Sequence, residues 1–115
     1  MELKSIVDEF ARNVAAQTDA VMQGDRKGGN KYAKRYVDAF NKLQAQGDAG
    51  LDALAALLTH ERMDVRVNAA VYLLKDRPQQ ARPVLEEATK GKGMIPFVAS
   101  QALKHWEEGT WRLDD

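Results

Sequence analysis

The residues that could do chemistry in this sequence are few, and none completes a catalytic or metal-binding motif. The run HERMD at 60–64 begins like the His-Glu-x-x-His helix of zinc proteases, but Asp64 stands where the second histidine would be. The only other histidine is His105, and without cysteine a zinc ion would need carboxylates to complete its coordination. We therefore expect His60 to cap a turn or to bond a backbone carbonyl, and we predict no metal and no cofactor.

Nucleophilic catalysis and nucleotide binding have no better support. Ser5 and Ser100 are the only serines, and neither lies in a Gly-x-Ser-x-Gly turn. The glycine-rich segment 24–31 lacks the Gly-Lys-Ser/Thr ending of a phosphate-binding loop, because Asn30 follows Gly29. Adjacent glutamates do not share a helix face, so they favour solvated charge over acid–base pairs. We predict that the chain is not an enzyme and binds no small molecule.

Arg66 has two interpretations. It could hold an anion, or it could tie neighbouring helices together through an acidic partner, with Asp64 and Asp38 as the candidates. The second interpretation is favoured.

A basic run is the strongest sign of a binding surface. Five cations fall within ten residues that contain no acid: Arg26, Lys27, Lys31, Lys34 and Arg35. Tyr32 and Tyr36 lie between them. Such a run suits an acidic protein surface or a phosphate backbone, and the alternative is an ordinary solvated helix face. The opposite end of the chain is acidic, and this separation of charge suits electrostatic steering between proteins.

Composition limits the class of protein. The 115 residues fit one domain, and 17 basic residues balance 17 acidic residues, which disfavours both a general nucleic-acid binder and an acidic DNA mimic. The N-terminus MELKSIVDEF has no apolar core of a secretion signal, and no apolar stretch is long enough to span a bilayer. The absence of cysteine fits a reducing compartment, so we expect a cytoplasmic protein with no membrane association.

Hydrophobic periodicity predicts an all-α protein of six helices. The segment 24–30 is expected to be a break, so that the second helix begins near Asn30. Asp48 and Asp64 are expected to cap the third and fourth helices, and Pro78 or Pro83 to begin the fifth.

The six helices are expected to form three antiparallel pairs in one domain, residues 1–115. The pairs span about 2–46, 48–75 and 78–108. A C-terminal tail, 109–115, is expected to dock through Trp111 and Leu113, although tryptophan also favours partner interfaces.

A triplet recurs every 30 residues on the second helix of each pair. Its copies are Val37, Ala39 and Leu43, then Val67, Ala69 and Leu73, then Phe97, Ala99 and Leu103. A fixed period of this length is typical of α-solenoids, in which each unit packs on its neighbours. The triplet therefore predicts buried residues on the inner helices of an α-α superhelix. The alternative is a six-helix bundle with chance matches.

Residues 64–74, DVRVNAAVYLL, resemble the second helix of a HEAT repeat, an armadillo-type helical unit. The matching residues are Asp64, Val65, Arg66, Ala69, Ala70 and Leu73. Tyr36 and Pro96 stand where the other two copies would have the arginine, so the resemblance is weaker there.

A wider resemblance covers about residues 30–113. The chain looks like a small, uncharacterised bacterial family of HEAT-like proteins. The residues that carry this resemblance are His60, Val65, Arg66, Ala69, Ala70, Pro83, Leu85, Leu103, Trp106 and Gly109. Members look like the immunity proteins encoded beside toxins of bacterial competition. The resemblance implies a HEAT-like fold and a cytoplasmic protein that binds and neutralises a cognate toxin.

The predicted function is non-enzymatic protein binding through the polar residues of the second helices. The predicted contacts are Lys34, Arg35, Asp38, Asn68, Tyr72, Lys75, Gln101, Lys104 and His105. Two alternatives remain: a nucleic-acid-binding helical repeat that uses the basic run, and a regulatory subunit of an enzyme encoded nearby.

Overall fold

The computed structural model describes residues 2–109, so the predicted docking of Trp111 and Leu113 lies outside the described residues. The described part of the chain is built from six α-helices and a short 3₁₀ helix, with no strand. The α-helices are α1 (Leu3–Met22), α2 (Arg26–Ala45), α3 (Asp48–Ala55), α4 (Met63–Leu73), α5 (Pro78–Ala88) and α6 (Met94–Glu107). The all-α class and the six helices are confirmed.

The contacts divide the chain into two units, the first ending at Leu57 and the second beginning at Leu58. In the first unit α1 packs along α2, and α3 contacts both of these helices. In the second unit α5 contacts α4 and α6, and α4 also contacts α6.

The start of α2 differs from the prediction. The break closes at Asp25, whose carboxylate accepts a hydrogen bond from the backbone N–H of Gly28 at 2.9 Å and caps the helix. Gly29 is buried inside α2, where an added Cβ would lie 3.3 Å from the Val21 side chain. Glycine is present here because α1 and α2 approach closely, so it does not mark a turn.

Two further predicted helix starts need correction. Asp48 and Asp64 lie inside the first turns of α3 and α4, and the N-caps are Gly47 (φ 65°) and Arg62. Asp64 is the second residue of α4, and its carboxylate accepts from the Arg62 guanidinium and from the backbone N–H of Val65.

Of the two prolines considered for the start of α5, Pro78 is the correct one. Pro78 is the first residue of the helix, where the missing N–H costs nothing, and Pro83 lies inside it.

Each unit has its own apolar core. In the first unit the buried side chains include Ile6, Phe10, Val14, Phe40, Leu43 and Leu54. In the second unit they include Val65, Val67, Leu73, Leu85, Ala99 and Ala102.

The repeated triplet is only partly core. Its alanines are buried in all three copies, and Val67 and Leu73 of α4 are fully buried. However, Val37 is 36% exposed and Phe97 is 62% exposed, so the prediction of burial is wrong at these two positions, and Leu103 is half-buried. The first and second triplet residues are two positions apart, so their side chains point about 200° apart around the helix. The first triplet residue therefore lies on the side of the helix away from the buried alanine.

Candidate basic interface

The basic run lies entirely on α2, and all five of its cations are exposed. Lys27, Lys31 and Lys34 follow one another at spacings of four and three residues, which places them on one face of the helix. We call the surface formed by Arg26, Lys27, Lys31, Lys34 and Arg35 the basic face.

Two of these cations flank one aromatic ring. The Lys31 Nζ lies 5.6 Å and the Arg35 Cζ lies 5.8 Å from the ring centroid of Tyr32, which is half-buried. Distances of this size allow cation–π attraction. Two positive charges therefore lie near the Tyr32 ring, and the ring neutralises neither of them.

No carboxylate of the described residues pairs with the basic face. Its five cations make no hydrogen bond or ion pair within residues 2–109. The Asp25 carboxylate at its N-terminal end is engaged by the Gly28 amide. The next acid along the helix is the exposed Asp38, so the positive potential of the first three turns is uncompensated on α2.

Tyr36 belongs to the core and not to the basic face. Its ring meets Phe10 of α1 edge-on, with centroids 5.6 Å apart and an interplanar angle of 68°. Burial raises the pKa of the Tyr36 hydroxyl because ionisation would place a negative charge among apolar groups. The two tyrosines of the basic run thus have different roles, which sequence alone did not separate.

The predicted contacts on α4 are less available. Asn68 is half-buried, and its side-chain amide donates to the backbone carbonyl of Asp64 at 2.9 Å. Tyr72 is also half-buried, and the exposed Lys75 follows the end of α4. Asn68 is therefore occupied within its own helix.

On α6 the predicted contacts share one face. Lys104 and His105 are exposed and Gln101 is half-buried, at spacings of three and four residues. The second unit holds six of the nine predicted contact residues, those on or just after α4 and those on α6. These two helices contact each other. Lys34, Arg35 and Asp38 lie on α2 of the first unit.

The turn at 60–64 is structural. The His60 Nδ1 accepts from the backbone N–H of Arg62 at 3.0 Å, and the Arg62 guanidinium donates two 3.0 Å hydrogen bonds to the buried Asp64 carboxylate. Among the described residues, no group of three or more His, Cys, Asp or Glu is placed to hold a metal ion.

Arg66 has a structural role with different partners from those predicted. Its guanidinium donates to the backbone carbonyls of His60 at 2.7 Å and Glu61 at 3.1 Å. Of the predicted partners, Asp64 is bonded by the Arg62 guanidinium instead, and Asp38 lies on α2 of the first unit. A backbone carbonyl leaves no sequence signal, so this pairing could not be predicted from residue types.

A cleft between α5 and α6 was not predicted. The Arg82 guanidinium lies 5.1 Å from the Trp106 ring centroid, and its Nε is buried with no hydrogen-bond partner among the described residues. The cleft has a volume of about 450 Å³ and is lined by Pro78, Gln79, Arg82, Pro83, Glu86 and Trp106. Only the packing of two helices brings these residues together, so sequence spacing could not reveal them.

These features define an all-α protein with an exposed cationic face on α2. No protein-family model matches the sequence, and no curated protein sequence matches it. Among solved structures, the chain is similar to the crystal structure of the protein RPA1889 from Rhodopseudomonas palustris CGA009. The TM-score is 0.90 at 24% identity, across 98% of this chain and 94% of that chain, and this likeness shows the fold alone.

Within residues 2–109, no helix is both long enough and apolar enough to cross a membrane.

Proposed function

We propose that this protein is a non-enzymatic binding module that docks onto an acidic surface of a protein partner. The observation that carries this proposal is the basic face of α2, where five exposed cations have no carboxylate partner among the described residues. Opposite charge on a partner would accelerate encounter and orient the two molecules. A rigid helix suits this role because its charges are fixed relative to one another.

We also propose the polar residues of α4 and α6, in the second unit, as partner contacts. On α6, Lys104 and His105 are exposed and accessible to a partner. On α4, Tyr72 and Lys75 remain candidates, whereas the Asn68 amide already uses one of its two N–H groups in a bond to the Asp64 carbonyl.

More specifically, we propose a HEAT-like immunity protein that binds and neutralises a cognate bacterial toxin in the cytoplasm. The support is the resemblance of residues 30–113 to HEAT-like proteins of this kind, together with a scaffold that presents charge without a catalytic motif. The proposal needs only a tight complex with the toxin, and no reaction.

The experiment that tests this proposal uses the product of the neighbouring gene. That product is expressed alone and together with this protein, and cell growth and co-purification are measured. We expect the neighbour to be toxic alone, growth to be restored on co-expression, and a stable complex to be isolated. Persistent toxicity with no complex would show that the immunity proposal is wrong.

A second candidate is nucleic-acid binding, which the same basic face favours because Lys31, Arg35 and Tyr32 could contact phosphates and stack on bases. The zero net charge disfavours it. Binding to duplex or single-stranded DNA that weakens steeply with added salt would support this candidate. Absence of binding at 50 mM salt would remove it.

A further inference from the structure

The exposed face of α6 begins with large apolar side chains. Phe97 is 62% exposed, Met94 is 42% exposed and Val98 is 37% exposed. At about 100° per residue, these three side chains lie within a sector of roughly 100° on the helix. The opposite side of α6 carries the buried Pro96, Ala99 and Ala102, so the apolar sector is turned away from the core of the second unit.

The predicted contact residues continue this face. Gln101 lies one turn and Lys104 two turns after Phe97, and both fall within about 40° of its direction. The face therefore runs from an apolar first half to a polar, cationic second half. Lys104 is about 10 Å from Phe97 along the helix axis, at 1.5 Å per residue.

Within residues 92–105 the formal charge has one sign, and the acids Glu107 and Glu108 follow only at the end of α6. Residues 92–105 contain two lysines and no acidic residue. Lys92 precedes α6 and Lys104 lies in its last turn, and the ammonium group of neither lysine makes a hydrogen bond or ion pair within the described residues. An apolar centre flanked by unpaired cations matches a partner surface with an apolar pocket and carboxylates at its rim.

We propose that Phe97, supported by Met94 and Val98, is the apolar anchor by which α6 docks into a pocket on an acidic protein partner. Lys92 and Lys104 meet carboxylates on either side of that pocket. This inference rests on the proposed function, because it names a second contact with the same partner. Buried aromatic anchors usually carry a large share of the binding energy of an interface.

Two other occupants fit the face less well. A symmetric dimer would bring the same surface of two copies together and place lysines near lysines without an intervening acid. A membrane surface normally requires a longer amphipathic helix than three apolar residues on two turns. Charge complementarity therefore favours an acidic protein.

The test measures binding of the purified product of the neighbouring gene by surface plasmon resonance. We expect Phe97→Ser to weaken binding at least tenfold, mainly through faster dissociation, because the anchor is lost after docking. Lys104→Glu should mainly slow association. The matched control is Met22→Ser, which removes an apolar side chain that is 75% exposed at the end of α1, and its affinity should equal that of the wild type. Circular dichroism confirms that each variant is folded.

Each outcome decides the inference. A complex that Phe97→Ser leaves unchanged overturns the anchor but not the proposed function. The absence of any wild-type complex overturns both. Self-association in sedimentation equilibrium, or binding to phosphatidylglycerol vesicles, that Phe97→Ser abolishes would show that a second copy or a lipid is the occupant and would overturn the protein anchor.

Discussion

Asp64 shows how a residue in a suggestive motif can have a purely structural role. It is 5% exposed, and its carboxylate accepts from the Arg62 guanidinium and from the backbone N–H of Val65. A buried carboxylate is stable only when its oxygens are bonded in this way. The segment HERMD therefore stabilises the turn that precedes α4. The expectation from sequence that His60 caps a turn agrees with the hydrogen bond that its Nδ1 accepts from the Arg62 backbone.

We predict that Asp64→Ala lowers the free energy of unfolding by about 2 kcal/mol, because the buried Val65 amide loses its side-chain acceptor and the Arg62 guanidinium loses both bonds. Urea denaturation followed by circular dichroism measures the change. The control is Glu87→Ala, which breaks the exposed Lys90–Glu87 pair and should change stability by less than about 0.5 kcal/mol. Equal effects of the two substitutions would contradict this role of Asp64.

Tyr36 gives a prediction about pH. Burial raises its pKa above the ordinary value of 10.0, so the folded state binds the hydroxyl proton more tightly than the unfolded state does. The resulting stabilisation is complete below pH 10 and is lost as the pH rises through the folded-state pKa. In absorbance titration at 295 nm, we expect the phase removed by Tyr36→Phe to lie above pH 10. A removed phase centred at or below pH 10 would contradict the burial.

At the scale of the helices, the apolar periodicity predicted the number of helices and most of their extents. The prediction was wrong where one residue type is compatible with two structural roles. The sequence predicts a turn at Gly29, whereas in the structure this glycine allows the close approach of Val21 of α1. Likewise, Asp48 and Asp64 are of a residue type that favours the N-cap position, but the N-caps are Gly47 and Arg62. Such choices depend on tertiary packing, which local sequence does not contain.

The contact between α2 and α3 gives the second stability prediction. Gly50 is buried in α3, and an added Cβ would collide with the backbone carbonyl of Leu43. Backbone cannot move aside easily, so we expect Gly50→Ala to destabilise the protein by about 2 kcal/mol, although alanine normally favours helices. The comparison variant is Gly29→Ala, whose Cβ would meet only a partly exposed Val21 side chain.

Thermal and urea unfolding of both variants decide this point. Gly29→Ala should lie within about 1 kcal/mol of the wild type, because Val21 can shift and alanine has the better helix propensity. If Gly50→Ala instead stabilises the protein, the close approach of α2 and α3 is wrong.

The recurring triplet shows a limit of sequence patterns. Val67 and Phe97 occupy the same position of the repeat, yet Val67 is fully buried and Phe97 is 62% exposed. A repeat predicts which residues are equivalent along the chain, but burial depends on what covers each helix. The exposed Phe97 is for this reason the most informative departure from the pattern.

At the scale of the whole molecule the net charge is zero, yet two segments of the chain contain no acidic residue. Residues 26–37 contain five cations and residues 92–105 contain two, without a carboxylate in either segment. The basic face could be predicted from sequence because its five cations lie within ten residues of one helix. The cleft at Arg82 and Trp106 could not, since α5 and α6 form it jointly.

The central claim is that the basic face of α2 steers an acidic partner. The direct measurement is the association rate constant with the product of the neighbouring gene, by stopped flow, as a function of ionic strength. The test variant is the double substitution Lys34→Glu and Arg35→Glu. The control is Lys4→Glu with Arg12→Glu, which changes the net charge equally on the exposed surface of α1.

We predict that wild-type association slows steeply as salt rises from 10 to 300 mM, because screening shortens the range of the attraction. At low salt the Lys34 and Arg35 variant should associate about tenfold more slowly and with little salt dependence, while the α1 control stays within about threefold of the wild type. Equal rates and equal salt dependence for the two double variants would contradict the claim.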